Sequence, residues 1–223
     1  MNIAIIVAAG SGTRFGAEKP KQFLEIGGKP VLIHTLERFD ACAAIDEIVL
    51  VLTESEIENF QTTLEKFNLK KLERIIAGGN TRAESVRNAL NSLNENVEIV
   101  AVHDGARPLV SSEEIAQTIE KARETGATCL VAKVTDTIKR IENNKIIGTV
   151  NRENLRRAQT PQTFRFEILQ KAFADENFDA SATDECFLVE KAGFEIFLTE
   201  GSAKNIKITT PEDLLIAESL LKK

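Results

Sequence analysis

The 223-residue chain has no tryptophan and no tyrosine, so recognition by stacking on those rings is excluded. Its twelve phenylalanines fall mostly at positions that read as core. Cysteine is scarce: Cys42, Cys129 and Cys186 are far apart, odd in number, and form no CxxC or Cys/His zinc spacing. They read as reduced thiols of a cytoplasmic protein. Net positive charge is absent too. With 28 Lys and Arg against 34 Asp and Glu the formal charge is −6, which excludes a general nucleic-acid binder, though not a small basic pocket. No long apolar run occurs. The first one stops at Gly10, too short for a membrane span and without the basic flank of a leader, and so predicts a buried first strand. Internal repeats, low-complexity tracts and linkers are also missing, and the length suits one substantial core.

What is present alternates in strand-length and helix-length segments. Strand-like runs lie at Ile3–Ala8, Glu47–Leu52, Glu73–Ile76, Glu98–Val102 and Ala127–Val134. Helical spacing marks Val31–Phe39, Glu54–Phe67, Thr81–Leu93 and a helix at Ser111–Glu124 begun by Ser111 or Ser112. This βαβα order predicts an α/β fold with a mostly parallel sheet covered by helices on both faces. After Val134 the rhythm changes. "DTIKRIENNKIIGTV" holds two β-rich runs around "ENNK", a turn signal, and predicts a hairpin inserted at residues 135–153 of a single domain. A lone hairpin is marginal in water, so Ile138, Ile141, Ile146, Ile147 and Val150 point to packing against another subunit. Helices near Phe166–Phe173 and Asp184–Lys191, a strand at Glu195–Leu198 and a helix from Pro211 complete the chain.

The opening stretch, "AAGSGTRFGAEKPKQF", resembles a phosphate-binding loop but fits neither common template. Gly10, Gly12 and Gly16 are one residue too long for G-x-G-x-x-G, and no G-x-x-x-x-G-K-[ST] occurs. The stretch does supply small residues and fixed cations. Ala8, Ala9, Gly10 and Gly12 let a ligand approach the backbone, and Arg14 and Lys21 can neutralise a triphosphate. Lys19 either assists or is solvated. Gly78-Gly79 after a strand permits a second close approach. Asp104 ends "EIVAVHD" at the carboxyl edge of the sheet, where open α/β folds bind ligands, and is the candidate nearest Mg²⁺. His103 and Asp104 are neighbours on a strand and point to opposite faces. His103 therefore reads as a packed residue, and His34 as a helix residue.

"AAGSGTRFG" with "KPKQF", then "AGGNTRAESVRNAL", "VHDGARP", "VTDTIKR", "TVNRENLRRAQTPQTF", "ATDE" and "NIKITTPEDL", in that order, resemble the 2-C-methyl-D-erythritol 4-phosphate cytidylyltransferases of the non-mevalonate isoprenoid pathway. The resemblance spans essentially the whole chain. Ribitol-5-phosphate cytidylyltransferases share most of these stretches and are the alternative. Asp104-Gly105-Ala106-Arg107 and Thr183-Asp184-Glu185 favour the methylerythritol family, although Gly105 stands where Ala is usual.

The resemblance implies a Rossmann-like nucleotide-diphosphosugar-transferase fold and a cytoplasmic homodimer joined by the β-arm. It implies attack of a polyol phosphate on the α-phosphorus of CTP with release of pyrophosphate, with Mg²⁺ carried mainly on the triphosphate's own oxygens and water. A phosphate monoester is mostly dianionic at neutral pH, so no general base is required, in keeping with only two histidines. On the family pattern Arg14 and Lys21 stabilise charge at the α-phosphate, and Arg152 and Lys207 position the second phosphate. Thr137 and Arg152 reach the neighbouring subunit's substrate. Asp104, Arg107 and Thr183 bind polyol hydroxyls. Ala8, Ala9, Gly79, Asn80 and Ser85 read the cytosine.

Overall fold

A computed structural model describes residues 1–10, 20–174 and 181–221. Gly12 and Arg14 lie outside them, as does the side chain of Lys21, whose backbone enters a 3-10 turn at Lys21–Phe23. The strands are β1 (Asn2–Val7), β2 (Glu25–Ile26), β3 (Lys29–Pro30), β4 (Glu47–Leu52), β5 (Leu72–Ala77), β6 (Ile99–Asp104), β7 (Ala127–Lys133), β8 (Ile138–Glu142), β9 (Lys145–Val150), β10 (Arg156–Arg165) and β11 (Phe197–Glu200). The helices are α1 (Val31–Asp40), α2 (Glu54–Leu64), α3 (Arg82–Asn91), α4 (Ser112–Thr125), α5 (Phe166–Phe173), α6 (Glu185–Lys191) and α7 (Pro211–Leu221).

Seven strands form one sheet in the order β11-β7-β10-β6-β1-β4-β5. β1 pairs parallel with β4 and β6, β4 with β5, and β11 with β7. The expected mostly parallel sheet with helices on both faces is therefore observed. Along β1, Ile3 and Ile5 join α3, α5 and α6 in one core, while Ala4 and Ile6 join α1, α2 and α4 in the other. That alternation is the period-two geometry of a strand buried on both sides. Each fully buried Ile, Leu or Val there contributes about 1.5–3 kcal/mol.

β10 departs from the expected scheme. The stretch "RRAQTPQTFR" carries Gln, Thr, Pro and three Arg, and no strand was expected there. It runs antiparallel between β6 and β7, with a register shift between Ala158 and Gln162. Its buried polar residues explain why apolar patterning misses it: Gln159, Thr160, Gln162 and Thr163 are all buried and hydrogen-bonded. β2 and β3 form a second unforeseen element, a small ribbon turned by Gly27 and Gly28, both at positive φ. Smaller shifts are that α2 ends at Leu64 rather than Phe67 and that the last strand is Phe197–Glu200 rather than Glu195–Leu198.

The expected hairpin is β8-β9. Asn143 and Asn144 at its tip have φ of 47° and 60°, the pairing that a two-residue turn matched to strand twist demands. It does not fold back over its own apolar residues. Ile141, Ile146 and Ile147 are 65%, 67% and 53% exposed.

Candidate functional site

The carboxyl ends of β1, β4, β5 and β6 meet at one edge. Ala8 N–H donates to Val51, Gly105 N–H to Val7 and Gly78 N–H to Leu52, at 2.7–2.8 Å. Close packing follows. A Cβ on Gly105 would come within 2.9 Å of Ala8 Cβ and Leu32 Cδ1, and one on Gly78 within 2.6 Å of Ala9 Cβ. Position 105 fits Gly in this chain because Ala8 and Leu32 already occupy the space. Ala8 is buried, Ala9 half-buried and Gly10 exposed. Gln22, buried in the 3-10 turn, donates to the carbonyls of Ala8 (2.7 Å) and Gly10 (3.2 Å), so it clamps the entry of the glycine loop.

Beside it, the turn before α3 is built by its own residues. Thr81 caps α3 by accepting from Glu84 N–H, and Glu84 accepts from Asn80 N–H at 2.7 Å. Ser85, 2% exposed, donates to Thr81 O and accepts from Gly79 N–H at 3.1 Å. Ser85 thus fixes the Gly79 turn from below, while Asn80 is exposed.

At the end of β6 the alternation separates His103 from Asp104 as expected. His103 is fully buried against Phe39 of α1, ring centroids 4.8 Å apart. Its hydrogen bonds define its state. Thr160 Oγ1 accepts from Asp104 N–H (3.1 Å) and lies 3.0 Å from His103 Nδ1, which in the neutral ring accepts the Thr160 proton. Nε2–H then donates to Arg107 O (3.1 Å). The imidazole is neutral, and burial lowers it to about 3. His34 sits in α1 with Nε2 2.8 Å from Ile26 O.

Asp104 faces the other side and gathers three cations. Oδ1 accepts from Arg82 Nε (3.2 Å). Oδ2 accepts from Arg107 Nε (3.2 Å) and Lys207 Nζ (3.0 Å). Burial alone would push its carboxyl up, but the charges of Arg82, Lys207 and Arg107 hold it well below the usual carboxylate range. Arg82 also forks onto Glu185, with Nη2 3.0 Å from Oε2 and Nη1 on Oε1. Burial pushes the Glu185 carboxyl up against the pull of Arg82. Three cations face two carboxylates, which leaves one positive charge over at the sheet edge. Lys207, with its side chain 36% exposed, is the most open of the three.

Lys207 is delivered by the loop after β11. Gly201 N–H bonds to Val131 O, Ser202 N–H to Glu114 Oε1, and Ile208 N–H to Ala106 O. The buried Asn205 donates through Nδ2 to Thr160 O (2.9 Å), and its carbonyl accepts from Arg107 Nη1 (2.9 Å). Ile206 and Ile208 pack with Val31, Ile26 and α7. The residue between them therefore points the opposite way, onto Asp104.

The structure thus brings together Asp104, Arg107 and Lys207. Thr183 is exposed just before α6, and the helix cap is Asp184, which accepts from Phe187 N–H. Thr137 and Arg152 are exposed at the foot of the hairpin, where Arg152 Nη1 donates to Thr135 O. Among the described residues no hydrogen bond or ion pair joins either of them to Asp104. Asp104, the candidate nearest Mg²⁺, carries three cationic side chains on its oxygens and serves here as their counter-ion. No group of three or more His, Cys, Asp or Glu able to hold a metal exists among the described residues.

Sequence reasoning missed Gln22, Arg82, Glu185 and Thr160. One signal was available. Arg82 is the first residue of α3, an end where the helix dipole disfavours a cation, so anionic partners had to be waiting.

The chain matches the family model described as "IspD: 2-C-methyl-D-erythritol 4-phosphate cytidylyltransferase" over residues 2–223. The 2-C-methyl-D-erythritol 4-phosphate cytidylyltransferase of Alkaliphilus metalliredigens is 44% identical over 220 residues, covering 97% of this chain and 91% of that protein. That of Bacillus licheniformis is 43% identical, covering 99% and 96%. Among solved structures, the 4-diphosphocytidyl-2C-methyl-D-erythritol synthase of Anaerococcus prevotii superimposes with a TM-score of 0.84 at 33% identity, covering 100% of this chain and 96% of that one. No helix among the described residues is long and apolar enough to cross a membrane. By sequence and by fold, the chain belongs to the 2-C-methyl-D-erythritol 4-phosphate cytidylyltransferase family.

Proposed function

We propose that the chain transfers CMP from CTP to 2-C-methyl-D-erythritol 4-phosphate by direct in-line attack of the substrate phosphate on the α-phosphorus, releasing pyrophosphate. The observation that carries this reading is the Asp104 cluster. A part-exposed ammonium and a guanidinium are held at the carboxyl edge beside the clamped glycine loop, with one positive charge unspent.

In this reading the main barrier is repulsion between two anions, and cations with backbone donors lower it while aligning the groups. Lys207, anchored through Asn205 and Ile208, takes the attacking phosphate. Arg107 and Asp104 take polyol hydroxyls, and Thr183, free of capping duty, closes on them. Arg14 and Lys21 meet the charge growing on the α-phosphate. Ala8, Ala9 and Gly10, with Gly12 after them, admit the nucleotide, and Gly79 and Asn80, held by Ser85 and Glu84, read the base. Mg²⁺ travels mainly on the triphosphate oxygens and water, with Asp104 the nearest carboxylate.

The protein acts as a homodimer. The exposed isoleucines of β8 and β9 are the apolar surface that a second copy covers, and the arm carries Thr137 and Arg152 to the partner's substrate. Three free thiols suit the cytoplasm. Pyrophosphate release, compared with 2-C-methyl-D-erythritol 4-phosphate and with ribitol 5-phosphate, tests the substrate. Faster turnover with the former is expected, and preference for ribitol 5-phosphate overturns it.

A further inference from the structure

On the far side of the first turn of α6 from Arg82, a cavity of about 400 Å³ is lined by Cys129, Thr183, Asp184, Cys186, Phe187 and Leu198 among others. Cys129 lies on β7 and Cys186 is the second residue of α6, yet both line this one cavity and each thiol shifts the other's titration. One amide holds both. Gln162, the register partner of Cys129 on β10, places Nε2 3.6 Å from Cys129 Sγ and accepts from Cys186 N–H on Oε1 at 2.9 Å. The same Nε2 donates to Asp184 Oδ2 at 3.0 Å. Nothing in the transfer reaction uses these sulfurs.

We propose that Cys129 and Cys186 are a reversible oxidation site, a paired dithiol that a small peroxide entering this cavity converts to an intrachain disulfide, displacing the turn of α6 that carries Glu185. Cys129 is the attacking sulfur. The Gln162 amide donates to Cys129 Sγ and favours its thiolate, whereas the neighbouring Cys129 sulfur and burial push the Cys186 thiol up. The Cys129 sulfur attacks one peroxide oxygen, the O–O bond breaks, and a sulfenic acid and one water result. The Cys186 sulfur then displaces the sulfenic oxygen, which leaves as a second water with the remaining thiol proton. The peroxide gains two electrons and each sulfur gives one. Hydrogen peroxide fits the space, being roughly two waters in size at about 30 Å³ each.

The consequence reaches the site through one covalent neighbour. A disulfide holds its sulfurs about 2.05 Å apart, so two non-bonded sulfurs must close on each other to form it. Cys186 follows Glu185 directly, and Glu185 forks onto Arg82, which holds Asp104. Oxidation therefore slackens the fork.

The test treats the full-length protein with stepwise hydrogen peroxide, counts thiols after denaturation, maps peptides by mass, and follows pyrophosphate release. Titratable thiols should fall from three to one, with the Cys129 and Cys186 peptides joined and lighter by about 2 Da, two hydrogens. Turnover should drop several-fold and return with a dithiol reductant. A Cys42→Ser chain should respond in the same way, and a Cys186→Ser chain should form no intrachain link. Three surviving thiols, a link through Cys42, or irreversible sulfinic products overturn the site. A complete disulfide with unchanged turnover overturns its coupling to α6. The rate readout rests on the transfer reaction proposed above, whereas the thiol count and peptide map stand without it, so the two can fail separately.

Discussion

His103 gives a stability prediction whose size follows from its hydrogen bonds. In the folded chain Nδ1 is an acceptor, because the buried ring is neutral and its one N–H, on Nε2, is committed to Arg107 O. Protonating Nδ1 would place a charge in a fully buried pocket, and burial keeps the folded imidazole neutral down to about pH 3. The unfolded imidazole titrates near its ordinary 6.5. Below that value the unfolded state binds a proton that the folded state refuses, and stability falls as pH falls. Between pH 7.5 and 5.0 the unfolded side gains about 2 kcal/mol, at about 1.36 kcal/mol per pH unit below 6.5. The result is insensitive to the folded value, because anything near 3 or 4 lies outside the window.

The assay is urea unfolding of the wild type and of His103→Gln across this range. Gln can donate to Arg107 O and accept from Thr160 without titrating. Every other titratable group is common to the two chains, so the difference isolates His103. Wild type should lose about 2 kcal/mol more than the variant, roughly 0.8 M in midpoint for a slope near 2.5 kcal/mol/M. Equal pH slopes would refute the neutral, doubly bonded imidazole.

Glu185→Gln removes the charge from the fork on Arg82 and should cost about 2 kcal/mol, with a raised KM for the polyol phosphate because Arg82 then pulls on Asp104 alone; an unchanged urea midpoint would show the fork to be idle. Mixing an Arg14→Ala chain with an Arg152→Ala chain should recover activity, since in a heterodimer one of the two sites then keeps both arginines. Verified heterodimers without recovery would assign each site to a single chain.

The apolar framework was readable because its signal is local. EIVLVL can only be a strand buried on both faces, and ENNK between β-rich runs closes a hairpin wherever it lies. β10 was not readable, because its place depends on partners distant in sequence. Gln162 bonds across to Asp184 and Cys186, and Thr160 to His103. A polar residue satisfied across the fold looks, in sequence, like one facing water. The same distance hid half of the site. Asp104, Arg107 and Lys207 each stand in a stretch that the sequence singles out, but Arg82 and Glu185, 103 residues apart, form a pair that no window of sequence contains.

The long-range bonds also explain why the cations come from separate stretches. A lone ammonium beside a triphosphate would be drawn out of line by the phosphates themselves. Here Asp104 takes a share of three cations at once, and each is tied independently: Arg82 by Glu185, Arg107 by the Asn205 carbonyl, Lys207 by the backbone flanking it. The carboxylate therefore sets their mutual spacing before any ligand arrives, and substrate phosphate meets charge already oriented. Positive charge gathered without Asp104 would repel itself apart, and Asp104 without it would repel the substrate.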